Sequence, residues 1–461
     1  MALKPTESVR HGLFSPIEQE FTPEEFIKDV FNDEFILMVG SEVIMDKRIE
    51  PTGDINKYIL DTINQIGKTN YIDFNELERK KEDGTDPIRK LLNDQEFDYN
   101  LNDISPELRR LLETKLFPVV LTTTFDSYLE TLMRNIWGKR LLVANFNDMD
   151  SMDKLRHVIS SYKVESSSDK VESKYKYNEP TLIYIFGKAV KNELRMYAHT
   201  DDDYIRIIDK WMQLKNDDHV NNLIKEKKIL ALGCKFDDWH FRFFWYSLRK
   251  EINRLGAGQV AFMLDCNNPI DKKLDIFLKR KKVYRHDDAR VFMSQVAQMM
   301  NVATSNNPYM DLILKKRKEG GIFLSYCSED IVMASKLFFH LDKQGYKVWF
   351  DNNNLRGGDN FNKEIQDAIA QAKVFIALLT PTIARNLQSG VYEEKYYVKE
   401  WRMACQLKEK IIIPVAVDGY DVKADYHKSI FQKIINDYPS SVDLMKADGF
   451  EKLLSSLKKW L

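Results

Sequence analysis

The chain has 461 residues, 44% apolar and 30% charged, an ordinary balance for a globular protein and too much chain for one small core. Lys+Arg 69 against Asp+Glu 70 leaves almost no net charge, which argues against a globally basic nucleic-acid binder. Four scattered cysteines (Cys234, Cys266, Cys327, Cys405) without a CxxC pair argue against a zinc site or a disulfide framework, and fit reduced thiols in a cytoplasm.

The opening stretch MALKPTESVRHG lacks the apolar run of a signal peptide, and apolar runs such as IIIPVAV at 411–417 are strand-length, so no membrane attachment is expected. The first strong element is EFILMVG at 34–40, an apolar run closed by glycine that suits a buried parallel strand. Similar runs follow at 117–126, 181–187, 227–233 and 258–265. Amphipathic stretches such as INKYILDTINQIG at 55–67 and PELRRLLETKL at 106–116 lie between them and read as helices. The Ser/Lys/Glu-rich segment at 164–180 reads as an exposed loop or insertion. Strands separated by helices give an α/β architecture with a mainly parallel sheet.

NVATSNNPYMDLILKKRKEGG at 301–321 joins polar residues, a proline, a basic run and a Gly-Gly step, the composition of a domain boundary. Its KKRK run at 315–318 is read as solvated linker. The expected division is a first domain over 1–300, a linker over 301–319 and a second domain over 320–461. In the second domain GIFLSY, YKVWF, KVFIALLT and KIIIPVAV read as strands. DIVMASKLFFHLDKQG, FNKEIQDAIAQA, YYVKEWRMACQLKE and EKLLSSLKKWL read as the helices around them. That rhythm describes a flavodoxin-like doubly wound fold.

Within YYVKEW, Glu400 follows Tyr396 by four residues, so the two share one flank of a helix whose core stripe takes Tyr397, Val398, Trp401 and Cys405. A glutamate so placed is either a solvated surface charge paired with a lysine or a carboxylate held in a cleft. In this fold class that flank lies near the carboxyl ends of the strands, where ligands bind.

IFLSYCSEDIVMASKL, YKVWFDNNNLRGGDNFNKEIQDAI, KVFIALLTP and YYVKEW resemble, in order, the signature blocks of a Toll/interleukin-1 receptor (TIR) domain over 320–461. Some members of this family are adaptor modules and others cleave NAD+ at the nicotinamide–ribose bond. The resemblance implies that Glu400 is the catalytic glutamate and Tyr396 its aromatic neighbour, a position where many members carry tryptophan. Ser325 and Tyr326 end the first strand and are expected to contact substrate, with Phe323 and Tyr326 divided between core and rim and the CSED loop at 327–330 lining the cleft. The 352–360 loop, with the Gly357-Gly358 pair, resembles the loop through which these domains assemble, so a homo-oligomer or filament is expected; its Arg356 is expected to meet a substrate phosphate or a neighbouring subunit. NAD+ is then the substrate, and neither cofactor nor metal is called for.

FILMVGSEV at 35–43, VVLTTTFDSYLE at 119–130, LIYIFG at 182–187 and ILALGCKFDDWHFR at 229–242 resemble a bacterial sirtuin-like domain, with a Rossmann-like parallel sheet. The departures from that pattern carry the expectation. Gly40-Ser41-Glu42 places an acid where the pattern has small residues beside a diphosphate; Thr124 replaces an asparagine, although Asp126 is kept; Phe186 replaces a histidine. His199 reads as a free loop histidine rather than a substitute base. A catalytically degenerate half is expected, serving assembly, sensing or weak nucleotide binding. Pairings of these two domain types resemble bacterial antiphage defence proteins, which implies a phage-derived or nucleotide trigger.

Overall fold

The computed structural model describes residues 28–461 apart from 81–85, 94–98, 162–178, 190–196, 215–219, 221–222, 225–226, 249–260, 265–271, 281–282, 287–288, 300–320, 351–358, 391, 393–394, 408, 422–441, 445 and 447. The expected linker at 301–319, the basic run within it and nearly all of the expected insertion at 164–180 lie outside the described residues.

Seven parallel strands form the first sheet: β1 (Phe35–Val39), β2 (Val119–Thr122), β3 (Leu142–Asn145), β4 (Thr181–Tyr184), β5 (Lys228–Leu232), β6 (Ala261–Leu264) and β7 (Val283–His286). Their order is β3-β4-β2-β1-β5-β6-β7. β1, FILMV, is buried throughout because it is hydrogen-bonded on both sides and covered on both faces; Leu37 lies between Val120 and Leu230. The chain order reverses beside β1, so a switch-point crevice lies at the carboxyl ends of β1 and β5.

The second sheet holds β8 (Ile322–Ser325), β9 (Val348–Phe350), β10 (Val374–Leu379), β11 (Ile411–Ala416) and β12 (Val442–Asp443), all parallel, in the order β12-β11-β10-β8-β9. This is the flavodoxin-like order, and its switch point falls between β8 and β10. The sequence reading omits β3, β7 and β12, of which LVAN and VYRH are short edge strands with polar ends and the last has two residues. It also omits the helix Pro381–Ser389. Thr380 caps that helix by accepting from the Ile383 amide, proline occupies its first turn and Gly390 closes it at φ 74°.

The two halves touch through packed rings and two ionic nodes. Phe31 stacks on Phe339 with centroids 5.2 Å apart. Asp33 of the first half lies 2.6 Å from Lys336 Nζ and 3.8 Å from His340 Nε2, both on the helix Ile331–Lys343, and Glu34 meets Lys343 at 2.8 Å. Asp418, just past β11, accepts from Lys115 at 2.6 Å and from Arg140 at 2.7 Å. Among the described residues the non-glycine positions with positive φ are Asp33, Lys68, Lys115 and Asp418, so three of the four belong to these nodes.

Candidate active site

β8 ends in a serine because its preceding residues are spent on packing: Phe323 is stacked between Trp349 and Phe375 at 4.7 and 5.3 Å, and Ile322 and Leu324 enter the opposite core. Ser325 is therefore the first polar side chain at the strand's carboxyl end, and it is buried. The helix Tyr396–Gln406 lies over it with Tyr397, Val398, Trp401 and Ala404 inward. Ser325 Oγ donates to Glu400 Oε2 at 2.5 Å and accepts from Trp401 Nε1 at 3.0 Å. Glu400 is 4% exposed. It is not a solvent-exposed surface charge.

Tyr396, one turn earlier, is 49% exposed, with the Lys399 ammonium 5.1 Å from its ring centroid. The shared flank expected of Tyr396 and Glu400 thus spans from solvent to the sheet, with the ring outside and the carboxylate inside. Tyr326 packs in the core against Phe350 at 4.9 Å rather than on a rim. Cys405 packs half-buried against this core, and Ala404 beside it is fully buried. Arg356 and residues 352–358 of the loop lie outside the described residues.

A second polar cluster ties the switch point together. Asp330, in the turn after β8, accepts from Thr380 Oγ1 at 2.5 Å and from Thr382 Oγ1 at 2.8 Å, both just past β10. Burial pushes Asp330 up to about 6 against the pull of those hydroxyls, with Glu329 and Asp418 adding to the rise. Beside it the Cys327 thiol contacts Glu329 and is held well above its ordinary range, chiefly by burial. Lys395 pairs with Glu329 at 3.1 Å. Sequence reasoning placed the CSED loop near the cleft but missed Thr380, Thr382 and the polar role of Trp401. The Thr-Pro-Thr step after β10 was the readable signal for the first two.

In the first half, the residues named from the sequence also gather at the carboxyl ends of the strands. Gly40 lies against the β5 loop so closely that a Cβ there would sit 2.1 Å from the Gly233 carbonyl oxygen. Ser41 and Glu42 are buried in a single 3-10 turn. Burial alone would lower the nearby Lys235 ammonium, but Asp54, at 2.5 Å, together with Asp238 and Glu42 holds it above its usual range. The Thr124 hydroxyl lies 3.1 Å from that of Thr122. Asp126 accepts the Tyr128 amide at 2.8 Å, and burial raises its carboxyl. Phe186 is buried in the core, edge-on to Tyr204 and Phe244. His199 departs from expectation: it is buried, with Nε2 3.2 Å from Glu78 and Nδ1 3.1 Å from Asp203. The helix Asp201–Met212 begins beside it, capped by Thr200, so the histidine is tied to ordered structure instead of a free loop.

Two parallel α/β units in series, each with polar residues collected at its switch point, define a protein of two doubly wound folds. Residues 118–284 match the family model of the SIR2-like domain and residues 322–454 that of the TIR domain. The chain thus carries a SIR2-like domain over 118–284 followed by a C-terminal TIR domain over 322–454. The first match begins at β2 and leaves the Gly40-Ser41-Glu42 turn outside it. None of the curated proteins matches the chain.

Proposed function

We propose that the TIR domain is an NAD+ nucleosidase that breaks the nicotinamide–ribose bond, releasing nicotinamide and ADP-ribose or a cyclic ADP-ribose. The observation that carries this reading is the Glu400 carboxylate, set beside the carboxyl end of β8 at the switch point and aimed by the Ser325 hydroxyl. Departure of nicotinamide leaves positive charge on an oxocarbenium-like ribose, and a fixed carboxylate in a poorly hydrated cleft stabilises that charge more than water does. Tyr396 supplies an exposed ring at the entrance for the cationic nicotinamide. With Glu400 4% exposed, the ribose reaches it only after groups around the carboxylate move, so this conformation is a resting one.

The SIR2-like half is the regulatory platform in this reading. Glu42, Lys235 and Asp54 crowd its switch point, and Phe186 is committed to the core, which suits a half without NAD+ chemistry of its own. Activation releases the TIR domain to assemble with other copies, in a bacterial antiviral response set off by a phage-derived or nucleotide signal. The competing reading is a non-enzymatic adaptor, and the near-complete burial of Glu400 is the observation that favours it. The two separate in one experiment: the purified full chain is incubated with NAD+, with and without extract from infected cells. Glu400-dependent nicotinamide release is the expected result; none under either condition, with the fold intact, leaves the adaptor.

A further inference from the structure

Trp401 is fully buried and sits next to Glu400 in the chain, yet its indole N–H does not meet the carboxylate; it donates to Ser325 Oγ at 3.0 Å. An indole N–H only donates, whereas a serine hydroxyl has one proton and two lone pairs. With one lone pair taken by Trp401, the hydroxyl proton is directed to Glu400 Oε2, 2.5 Å away. The chain of bonds therefore has a direction, indole to hydroxyl to carboxylate, and such a chain favours the ionised carboxylate over the protonated one. Ser325 cannot turn aside, because Trp401 is itself locked, edge-on to Tyr397 at 5.6 Å within the core. Without the indole N–H the hydroxyl is a free rotor that can instead accept a proton from Glu400.

We infer that Trp401 is a positioning residue: acting through Ser325, it keeps the buried Glu400 ionised and aimed at the carboxyl end of β8. This rests on the assignment of Glu400 to NAD+ cleavage and names what makes that carboxylate usable. It also separates the two neighbours on the helix, since Tyr396 would touch substrate and Trp401 would not.

The test compares Trp401→Phe, Ser325→Ala and the double variant in the full chain under conditions where the wild type turns over NAD+. Losing a hydrogen bond to a charged group costs Ser325→Ala about 10- to 100-fold in kcat, and Trp401→Phe, which acts at one remove, about 5- to 10-fold. KM should stay within about twofold in both, because the lost interaction serves the charge that develops on reaction. The acid limb of the kcat profile should move to higher pH in Trp401→Phe. The double variant should be no slower than Ser325→Ala. A double variant slower by the product of the two effects, or an acid limb that does not move, overturns the inference.

A second measurement needs no turnover and no folded Trp401 variant. In a nitrogen-15 spectrum of the full chain, the Trp401 indole N–H resonance should follow the titration of Glu400. That dependence should vanish in Ser325→Ala and in Glu400→Gln; an indole signal blind to pH in the wild type also overturns the relay. The parent assignment fails separately, through full turnover by Glu400→Gln, and that result would leave the indole titration untouched.

Discussion

A carboxylate as buried as Glu400 is held against a large desolvation cost, and hydrogen bonds of the Ser325 kind are what make it tolerable. Glu400→Gln keeps the shape and removes the charge. Nicotinamide release should fall by at least about 10²- to 10³-fold, the usual consequence of losing one electrostatic stabiliser. Thermal stability should hold or rise, because an amide is cheaper to bury. A variant that is inactive and unfolded would instead mark the residue as structural. Asp330 gives a second prediction at this scale. Its carboxyl titrates at about 6 in the folded chain, against an ordinary 3.8. A raised carboxyl stabilises the fold where it is protonated, so the contribution is complete below about pH 4 and is lost as pH climbs through about 6, on the order of 3 kcal/mol in all. Hydrogen exchange of the β10 amides should therefore quicken across that window in the wild type and less so in Asp330→Asn. The sequence made Glu400 and Ser325 legible because a family pattern and the end of an apolar strand both mark them. The sequence pointed to the 327–330 loop but not to what Asp330 does there, because its partners Thr380 and Thr382 are about fifty residues away in the chain and only the β8–β10 pairing brings them together.

Among the elements, the fully buried strands were the most legible, since a strand covered on both faces must be apolar along its whole length, as FILMV and VFIALL are. Edge strands such as VYRH carry no such obligation and were missed. The turn after β1 was legible as a glycine position but misleading as to cause. The expected reason for Gly40 was approach to a diphosphate, yet its φ of −95° is open to any residue, and what demands glycine is the β5 loop. A methyl group at Gly40 would meet the Gly233 carbonyl at 2.1 Å and Cys234 Cα at 2.6 Å, backbone atoms that cannot swing aside. Gly40→Ala should destabilise the N-terminal half by about 2 kcal/mol or more, as overpacking does. Denaturant unfolding followed by exchange of the β1 and β5 amides would register it, with β10 unaffected. Equal stability of the variant would mean that the two loops can separate, and would return Gly40 to the role of a ligand-facing glycine.

At the scale of the whole molecule, the two halves are joined by more than the chain between them. Burial alone would raise the Asp33 carboxyl, but Lys336 and His340 from the other half hold it below its usual range, so this node favours the docked state. The Asp418 node mirrors it, with the acid on the TIR side and the cations on the SIR2-like side. Gly419 lies beside this pair, its φ of 81° in the region that favours glycine. Backbones at Asp33, Lys115 and Asp418 are held at φ of 56°, 57° and 54°, a strain of order 1 kcal/mol each that the docked arrangement sustains. Asp418, on the TIR side of this node, also adds to the rise of Asp330. A restraint of this construction is weakened by charge reversal and by salt. Lys115→Glu with Arg140→Glu lies wholly in the SIR2-like half, leaves the TIR site chemically intact and sets two acids against Asp418. It should separate the halves, seen as a larger radius in small-angle scattering, and raise basal nicotinamide release by about tenfold or more, the yield of a coupling of about 1.4 kcal/mol. Adding Asp418→Lys should bring the radius back, because the pairs are restored with their signs exchanged. Turnover that stays at its basal level in a chain whose halves have visibly parted would mean that the interface holds the molecule together without holding the TIR domain in check.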